Sequence, residues 1–226
     1  MAQSVIVTGG FGALGQAVAK AFAERGDKVT RVDYAKDAPS QLSGALDIGG
    51  VDLTDPDATQ AALDKVVAAH GAIDVLINVA GGFTWETLAD GSLDSWARLQ
   101  SMNVMTAATI SKLALDELKK SAQGRIINMG AGAAVKADMG MGAYAASKAG
   151  VHRLTEALAV ELEGTSVTVN AILPSVLDTP ANRKDMPGED PANWVTAQSI
   201  AEVMLFLASP ASGAVTGALI PATRNC

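Results

Sequence analysis

The chain holds one cysteine, Cys226, which has no partner for an intrachain disulfide and fits a reducing compartment. Aromatic residues are scarce at 4%, so a core has to be assembled from Ala, Val, Leu and Ile, as happens where Ala-rich helices cover a buried parallel sheet. Basic residues are outnumbered, 17 against 24 acidic, and a net charge of -7 without a basic patch excludes a nucleic-acid surface or an anionic membrane as partner. No apolar run approaches the length that spans a bilayer. The first apolar run, Ser4-Val5-Ile6-Val7, begins too near Met1 to leave room for a secretory signal, so the cytoplasm is the expected location. His70 and His152 stand alone, without Cys, His or carboxylate neighbours at ligand spacing, so no metal site is expected and neither is assigned a function.

What is present is a chain of 226 residues, 49% hydrophobic, which suits one α/β domain over residues 1–226. Short β-branched runs near 4–8, 28–33, 74–79, 125–129 and 165–173, with a weaker one over 49–52, read as strands. Between them, residues 12–25, 57–69, 93–120, 143–162 and 199–208 carry apolar positions at helical spacing. Asp55-Pro56 supplies an N-cap and a first-turn proline to the second of these helices. This βαβ alternation predicts an α/β fold, a single Rossmann-type doubly wound parallel sheet with helices on both faces. Residues 174–194 are rich in Pro, Asp and Asn, and read as a substrate loop over the carboxyl edge of the sheet.

The glycine run Thr8-Gly9-Gly10-Phe11-Gly12-Ala13-Leu14-Gly15 falls between the first strand and the first helix. Gly10, Gly12 and Gly15 fit the dinucleotide fingerprint, in which a tight turn brings backbone N–H groups and a helix N-terminus to a pyrophosphate. Asp33 closes the second strand 18 residues after Gly15, where a carboxylate accepts hydrogen bonds from ribose hydroxyls and repels a 2′-phosphate. NAD(H) is therefore expected over NADP(H). Arg31 shares a strand face with Asp33 without reaching the tip, and tempers this preference only slightly. Further along, Tyr144 and Lys148 stand four positions apart and project from one helix face, so the ammonium can favour the ionised phenol. A solvated helix face gives the same spacing.

Taken with these motifs, the chain resembles the short-chain dehydrogenase/reductase family along nearly its whole length. Asp52-Leu53 is similar to the adenine-contacting pair of that family, Asn78-Val79-Ala80-Gly81 to its Asn-Ala-Ala-Gly signature, Asn103 to its helix asparagine, and Tyr144 with Lys148 to its catalytic pair. The resemblance implies a nicotinamide cofactor held by Thr8, Gly9, Gly10, Gly12, Leu14, Gly15, Asp33, Asp52, Leu53, Asn78, Ala80, Gly81, Tyr144, Lys148, Pro174 and Thr179. It also implies that Tyr144 supplies a proton, that Lys148 holds the nicotinamide ribose and lowers the tyrosine pKa, and that Asn103 holds a water linking Lys148 to solvent. A mid-helix asparagine bonded to a nearby carbonyl is the alternative for Asn103. Helix capping is the alternative for Thr179.

Three positions depart from the family pattern. Ala131, 13 residues before Tyr144, replaces the serine whose hydroxyl contacts the substrate oxygen; Ser175 follows Pro174 in place of glycine; Ala13 stands for a loop glycine. Leu173-Pro174, Leu177-Asp178-Thr179-Pro180, Asn182-Arg183-Lys184, Met186-Pro187 and Ala80-Gly81-Gly82-Phe83 resemble the dihydropteridine reductases, a branch that also has alanine for the serine. That branch reduces a quinonoid dihydropterin with NADH. Asn78, Asn103 and the tail over 200–208 follow the general family instead. An alcohol dehydrogenase or carbonyl reductase that uses Ser175, Thr84 or an ordered water as substitute donor, and a nucleotide-binding protein without catalysis, are the competing readings. Trp85 and Trp194 fall where they either stack on a planar substrate or pack in a core or interface. The helices over 93–120 and 143–162 carry more apolar and small residues than one sheet face needs, so a homodimer or homotetramer acting on a small-molecule substrate is expected.

Overall fold

The computed structural model describes residues 2–224; Cys226 lies outside the described residues. In chain order the elements are β1 (Ser4–Thr8), α1 (Ala13–Glu24), β2 (Lys28–Val32), β3 (Leu46–Ile48), α2 (Pro56–His70), β4 (Val75–Asn78), α3 (Leu93–Gln100), α4 (Thr106–Lys120), β5 (Arg125–Met129), α5 (Gly142–Glu161), β6 (Thr168–Pro174), β7 (Leu177–Asp178), α6 (Pro180–Asp185), β8 (Val195–Thr196), α7 (Ala197–Leu207) and β9 (Leu219–Ala222). Seven strands form one parallel sheet in the order β3-β2-β1-β4-β5-β6-β9, while β7 and β8 pair separately. Side chains alternate across this sheet. Val5, Val7, Val75, Ile77, Ile127 and Ile172 pack under α1 and α7; Ile6, Leu76, Ile126 and Val169 pack under α2, α4 and α5. With both faces covered, β1, β4 and β5 are buried along their whole length, which accounts for the consecutive Val, Ile and Leu residues at their centres.

From β1 the chain winds outward through β2 and β3, then returns to lay β4 on the other side of β1. The reversal opens a crevice at the carboxyl ends of β1 and β4, where ligands bind in sheets of this kind. Asp55 caps α2 as expected, accepting the N–H groups of Asp57 and Ala58, with Pro56 in the first turn.

Several elements differ from the sequence reading. The weak strand expected at 49–52 is displaced to Leu46–Ile48, which pairs with Thr30–Val32. The strand does not run on because Gly50 turns the chain at φ 74° and its N–H bonds the Ala35 carbonyl at 3.0 Å. The helical stretch 93–120 is broken by a π turn over Ser101–Met105, with Thr106 Oγ1 donating to the Met102 carbonyl at 2.7 Å. Residues 174–194 are built rather than irregular: α6 follows β7, and Arg183 grips Asp178 with two bonds of 2.6 and 2.8 Å. The edge strand β9 was not expected, since Pro221 interrupts its short apolar run.

Candidate active site

A cleft of about 1110 Å³ opens at the strand reversal. The glycine loop forms its floor. Gly9 takes φ 62°, and a Cβ on Gly15 would fall 2.1 Å from the Gly9 carbonyl oxygen, so α1 can start this close to β1 only with glycine at both places. Gly10 backs onto Arg31 in the same way, its Cβ position lying 2.6 Å from the arginine Cβ. Gly12 sits at the N-cap of α1, where no side chain caps the helix. Its first N–H groups are thus left to water or to a ligand at the cleft.

Asp33 stands at one end of the cleft, each carboxylate oxygen accepting a backbone N–H at 2.9 Å, one from Phe11 and one from Ala35. Asp37 lines the same end. Arg31 does not oppose them. Its guanidinium is 1% exposed, bonds the Asp47 carboxylate at 2.7 and 2.6 Å, donates to the Ser40 carbonyl and lies over the Phe11 ring. Asp52 and Leu53 also line the cleft, the Asp52 carboxyl held below its usual range by hydrogen bonds from Thr54.

Gly9, Gly12, Leu14, Gly15, Asp33, Asp52, Leu53, Ala80, Gly81 and Thr179 are thus brought to one cleft. Thr179 also caps α6, its hydroxyl accepting the Asn182 N–H at 3.2 Å. Thr8 and Asn78 lie beneath the cleft instead. Thr8 Oγ1 accepts the N–H groups of Val79 and Ala80 at 3.1 Å, tying β1 to the end of β4. The Asn78 amide turns into the sheet to donate to Ser111 Oγ and Asn128 Oδ1 at 3.1 and 2.8 Å. Pro174 ends β6 beside Gly132.

Tyr144 and Lys148 stand in the first turns of α5 and are not among the residues that line this cleft. The phenol ring meets the Phe83 ring edge-on at 4.8 Å, and burial pushes its pKa up to about 12. Lys148 Nζ donates to the Met129 carbonyl at 2.8 Å, and burial brings its pKa down to about 8. The expected lowering of the tyrosine pKa by Lys148 is therefore not what this structure holds. Loss of water around the phenol dominates, and the ammonium is turned to the end of β5.

Asn103 sits in the π turn. Its side chain accepts the Gly82 N–H at 2.8 Å and donates to the Gly82 carbonyl at 3.1 Å and to Ser147 Oγ at 2.9 Å. The amide thus clasps the loop after β4 to α5, making the bond to a nearby carbonyl that the alternative reading expected. A Cβ at Gly81 would fall 2.4 Å from Asn103 Oδ1 and 3.5 Å from Lys148 Nζ, so a side chain there would displace the Asn103 amide.

This fold and cleft have known counterparts. The family model described as short chain dehydrogenase matches residues 3–190. The chain belongs to the short-chain dehydrogenase family. It is 31% identical to a meso-2,3-butanediol dehydrogenase of Serratia marcescens, over 96% of this chain and 91% of the relative. It is 30% identical to the 3-oxoacyl-[acyl-carrier-protein] reductase FabG of Vibrio cholerae, over 94% and 92%. Among solved structures it is similar to the ligand-free aldohexose dehydrogenase of Thermoplasma acidophilum, with TM-score 0.88, 27% identity and coverage of 97% and 92%. An NAD+-bound xylitol dehydrogenase matches with TM-score 0.87 and 27% identity, covering 97% of both chains. As a member of this family the chain is an NAD(P)H-dependent oxidoreductase.

Against the family pattern, Ala131 is 4% exposed and its N–H points to His152 Nε2 at 3.3 Å. Thr84 is no ready substitute for the missing hydroxyl: it donates to the Phe83 carbonyl and receives Arg98 Nη2 at 2.7 Å. Trp194 is 4% exposed and belongs to the core, so it does not stack on a substrate. Trp85 is 53% exposed and lies over Gly140, where a Cβ would fall 2.2 Å from its ring. Ser147 drew no reading in the sequence, His152 was assigned no function, and Phe83 appeared only as the end of the Ala80-Gly81-Gly82-Phe83 run. Among the described residues no helix is long and apolar enough to cross a membrane, and no group of three His, Cys, Asp or Glu side chains could hold a metal.

Burial of Lys148 has a measurable cost. Its pKa is about 8 in the folded chain and 10.5 ordinarily, so between these values the unfolded chain binds more protons and stability rises with pH. We expect Lys148→Met to unfold at higher urea than the parent at pH 7, by on the order of 2 kcal/mol, with the gap closing as pH rises toward the ordinary lysine value. Equal stability of the two at pH 7 would contradict this.

Proposed function

We propose that the chain is an NADH-dependent reductase of the dihydropteridine reductase kind, acting on a planar, easily reduced substrate such as a quinonoid dihydropterin. The observation that carries the reading is Ala131. A buried methyl stands where the family places a hydroxyl, so a developing oxyanion lacks a donor there that is worth several kcal/mol in sites of this type. A substrate whose reduction restores an aromatic ring needs that donor least. Phe83 and Trp85, 50% and 53% exposed beside Tyr144 and Gly140, support a planar occupant, since aromatic faces stack well on conjugated rings.

In this reading the glycine loop, Asp33, Asp52, Leu53, Ala80, Gly81 and Thr179 would hold the dinucleotide, and the residues fit it, because the N-terminus of α1 opens at the cleft without a side-chain cap and Asp33 lines the same cleft. A bound nicotinamide supplies the hydride. Tyr144, with its pKa at about 12, is protonated at neutral pH and gives its phenolic proton to the substrate atom that gains charge. Lys148, near 8, remains largely cationic and offsets that charge from beside Gly81. Asn103 keeps Gly82 and α5 in register.

Two carboxylates at the adenosine end, with Arg31 neutralised by Asp47, support NADH over NADPH. Titration of protein fluorescence with each cofactor should give tighter binding of NADH, and Asp33→Ala should narrow the difference by about 1–3 kcal/mol. Tighter binding of NADPH by the parent would sink the assignment.

The second reading is reduction of a ketone or oxidation of an alcohol, favoured by the names of the relatives above, none of which refers to a pterin. Ser175 is then the substitute donor, exposed next to the Pro174 carbonyl that abuts Gly132. Rates of NADH oxidation with quinonoid dihydropterin and with a panel of ketones separate the two. We expect pterin turnover and weak ketone turnover, a loss of about 10²–10⁴-fold in Tyr144→Phe, and a gain in ketone rate in Ala131→Ser. Strong ketone reduction without pterin activity would give the site to the second reading.

We also propose a homodimer or homotetramer built on α4 and α5 and the turn between α3 and α4, where Val160 and Met105 are 65% and 48% exposed. Sedimentation at micromolar concentration should give a species heavier than the 23.0 kDa chain; a monomer would refute it.

A further inference from the structure

One face of α5 grips the end of β5 through three side chains. Lys148 Nζ donates to the Met129 carbonyl at 2.8 Å, His152 Nε2 accepts the Ala131 N–H at 3.3 Å, and Thr155 Oγ1 accepts from Asn128 Nδ2 at 2.9 Å. The middle contact falls at the residue where the family hydroxyl is missing. His152 is 3% exposed and presses against the strand so closely that a Cβ on residue 130 would fall 2.5 Å from Nε2. Glycine at 130 is what lets the imidazole reach Ala131.

An imidazole that accepts through Nε2 must be neutral and must carry its proton on Nδ1, because an imidazolium ring has donors only. The surroundings agree. Burial and the charges of Arg153 and Lys148 hold the His152 pKa below its ordinary value, with Glu156 pulling the other way. Those charged groups all lie on α5, and the strand side presents Gly130, Ala131 and, beside Gly130, Leu173.

We propose that neutral His152 is a positioning residue for hydride transfer: by accepting the Ala131 N–H it fixes the end of β5, and with it the Met129 carbonyl that orients Lys148. Protonation of the ring turns the acceptor into a donor facing another donor and places a cation one helical turn from Lys148. The end of β5 then loses its hold, and turnover falls on the acid side of neutrality. Tyr144 at about 12 and Lys148 at about 8 both titrate above that range, so they do not produce such a limb. The inference rests on the reading of Tyr144 and Lys148 as the reacting pair, and its test has one readout that needs no turnover.

That readout is nitrogen NMR of the imidazole rings. The chain has only two histidines, and His70→Gln leaves His152 alone in the spectrum. His152 should show Nδ1 protonated and Nε2 bare at pH 7.5, and should take up its second proton below pH 6.5. A neutral ring protonated on Nε2 would overturn the proposal whatever the enzyme reduces. The second readout is kcat and KM for NADH oxidation between pH 5 and 8 in the parent, His152→Val and His152→Gln. The parent kcat should fall with the midpoint seen by NMR. His152→Val should lose about tenfold in kcat at pH 7.5 with KM for NADH changed by less than about twofold, since a small misplacement of reacting groups acts on the chemical step. His152→Gln, which offers an amide oxygen as acceptor, should recover most of the rate and lack the acid limb. An unchanged limb in both variants, or full kcat in His152→Val, would also overturn it. If His152→Val does not fold, the NMR result and the glutamine variant decide.

Discussion

Lys148 carries an ammonium into a place without water, and the single carbonyl that receives it there, that of Met129, is the contact on which the site depends. A cation so placed is tolerated only where its hydrogen bond is held in position. Strand β5 must therefore end with that carbonyl free of the sheet ladder, and the residues after it must be anchored elsewhere. Gly130 donates to the Ile172 carbonyl on β6, and Ala131 donates to His152 on α5. On the other side Asn103 clasps Gly82 and Ser147, and Ser147 Oγ donates to the Tyr144 carbonyl. Tyrosine, lysine and the loop after β4 thus share one rigid frame.

The cofactor cleft follows from a different constraint, the reversal of strand order between β1 and β4. It brings the carboxyl ends of two buried strands together, and the close packing of α1 on Gly9 and Gly15 sets how near a ligand comes to the backbone. Electrostatics then divides the cleft. Asp33 and Asp37 make one end acidic, whereas the side chain that would have opposed them, Arg31, is spent on Asp47, its register partner in β3. The pair, with Arg31 buried and Asp47 reaching solvent, removes a cation from the surface a 2′-phosphate would meet.

Much of this was legible in the sequence because it rests on local pattern. β1 and β5 begin and end where their β-branched runs do, and the glycine spacing, the Asp55-Pro56 cap and the Tyr144–Lys148 pair each follow from a few adjacent residues. What escaped depends on contacts between distant residues. Nothing next to Asn103 announces a π turn, since the turn is stabilised by Gly82 and Ser147 from other segments. Strand β3 is Leu46–Ile48 because those residues pair with Thr30–Val32 and the Gly50 N–H then turns to the Ala35 carbonyl, contacts no propensity expresses. Arg31 changed meaning once Asp47 lay opposite it. His152, alone in sequence, gained a partner only when α5 crossed the end of β5, and Trp194 went to the core because β8 is pulled against β7. The tyrosine pKa was misjudged for the same reason: spacing gives the distance along a helix but not the loss of water around the ring.

The central claim is that this site moves a hydride from NADH to an acceptor that does not depend on a serine hydroxyl. The most direct measurement is the rate of NADH oxidation by quinonoid dihydropterin, compared between ordinary NADH and NADH deuterated in turn at each of the two C4 positions, at limiting acceptor. The account predicts that one of the two labelled forms, and only one, reacts more slowly, because a single face of the nicotinamide meets the acceptor beside Tyr144. Oxidation at the same rate with both labels and under conditions where chemistry limits turnover, or no oxidation of NADH by the pterin at all, would contradict it.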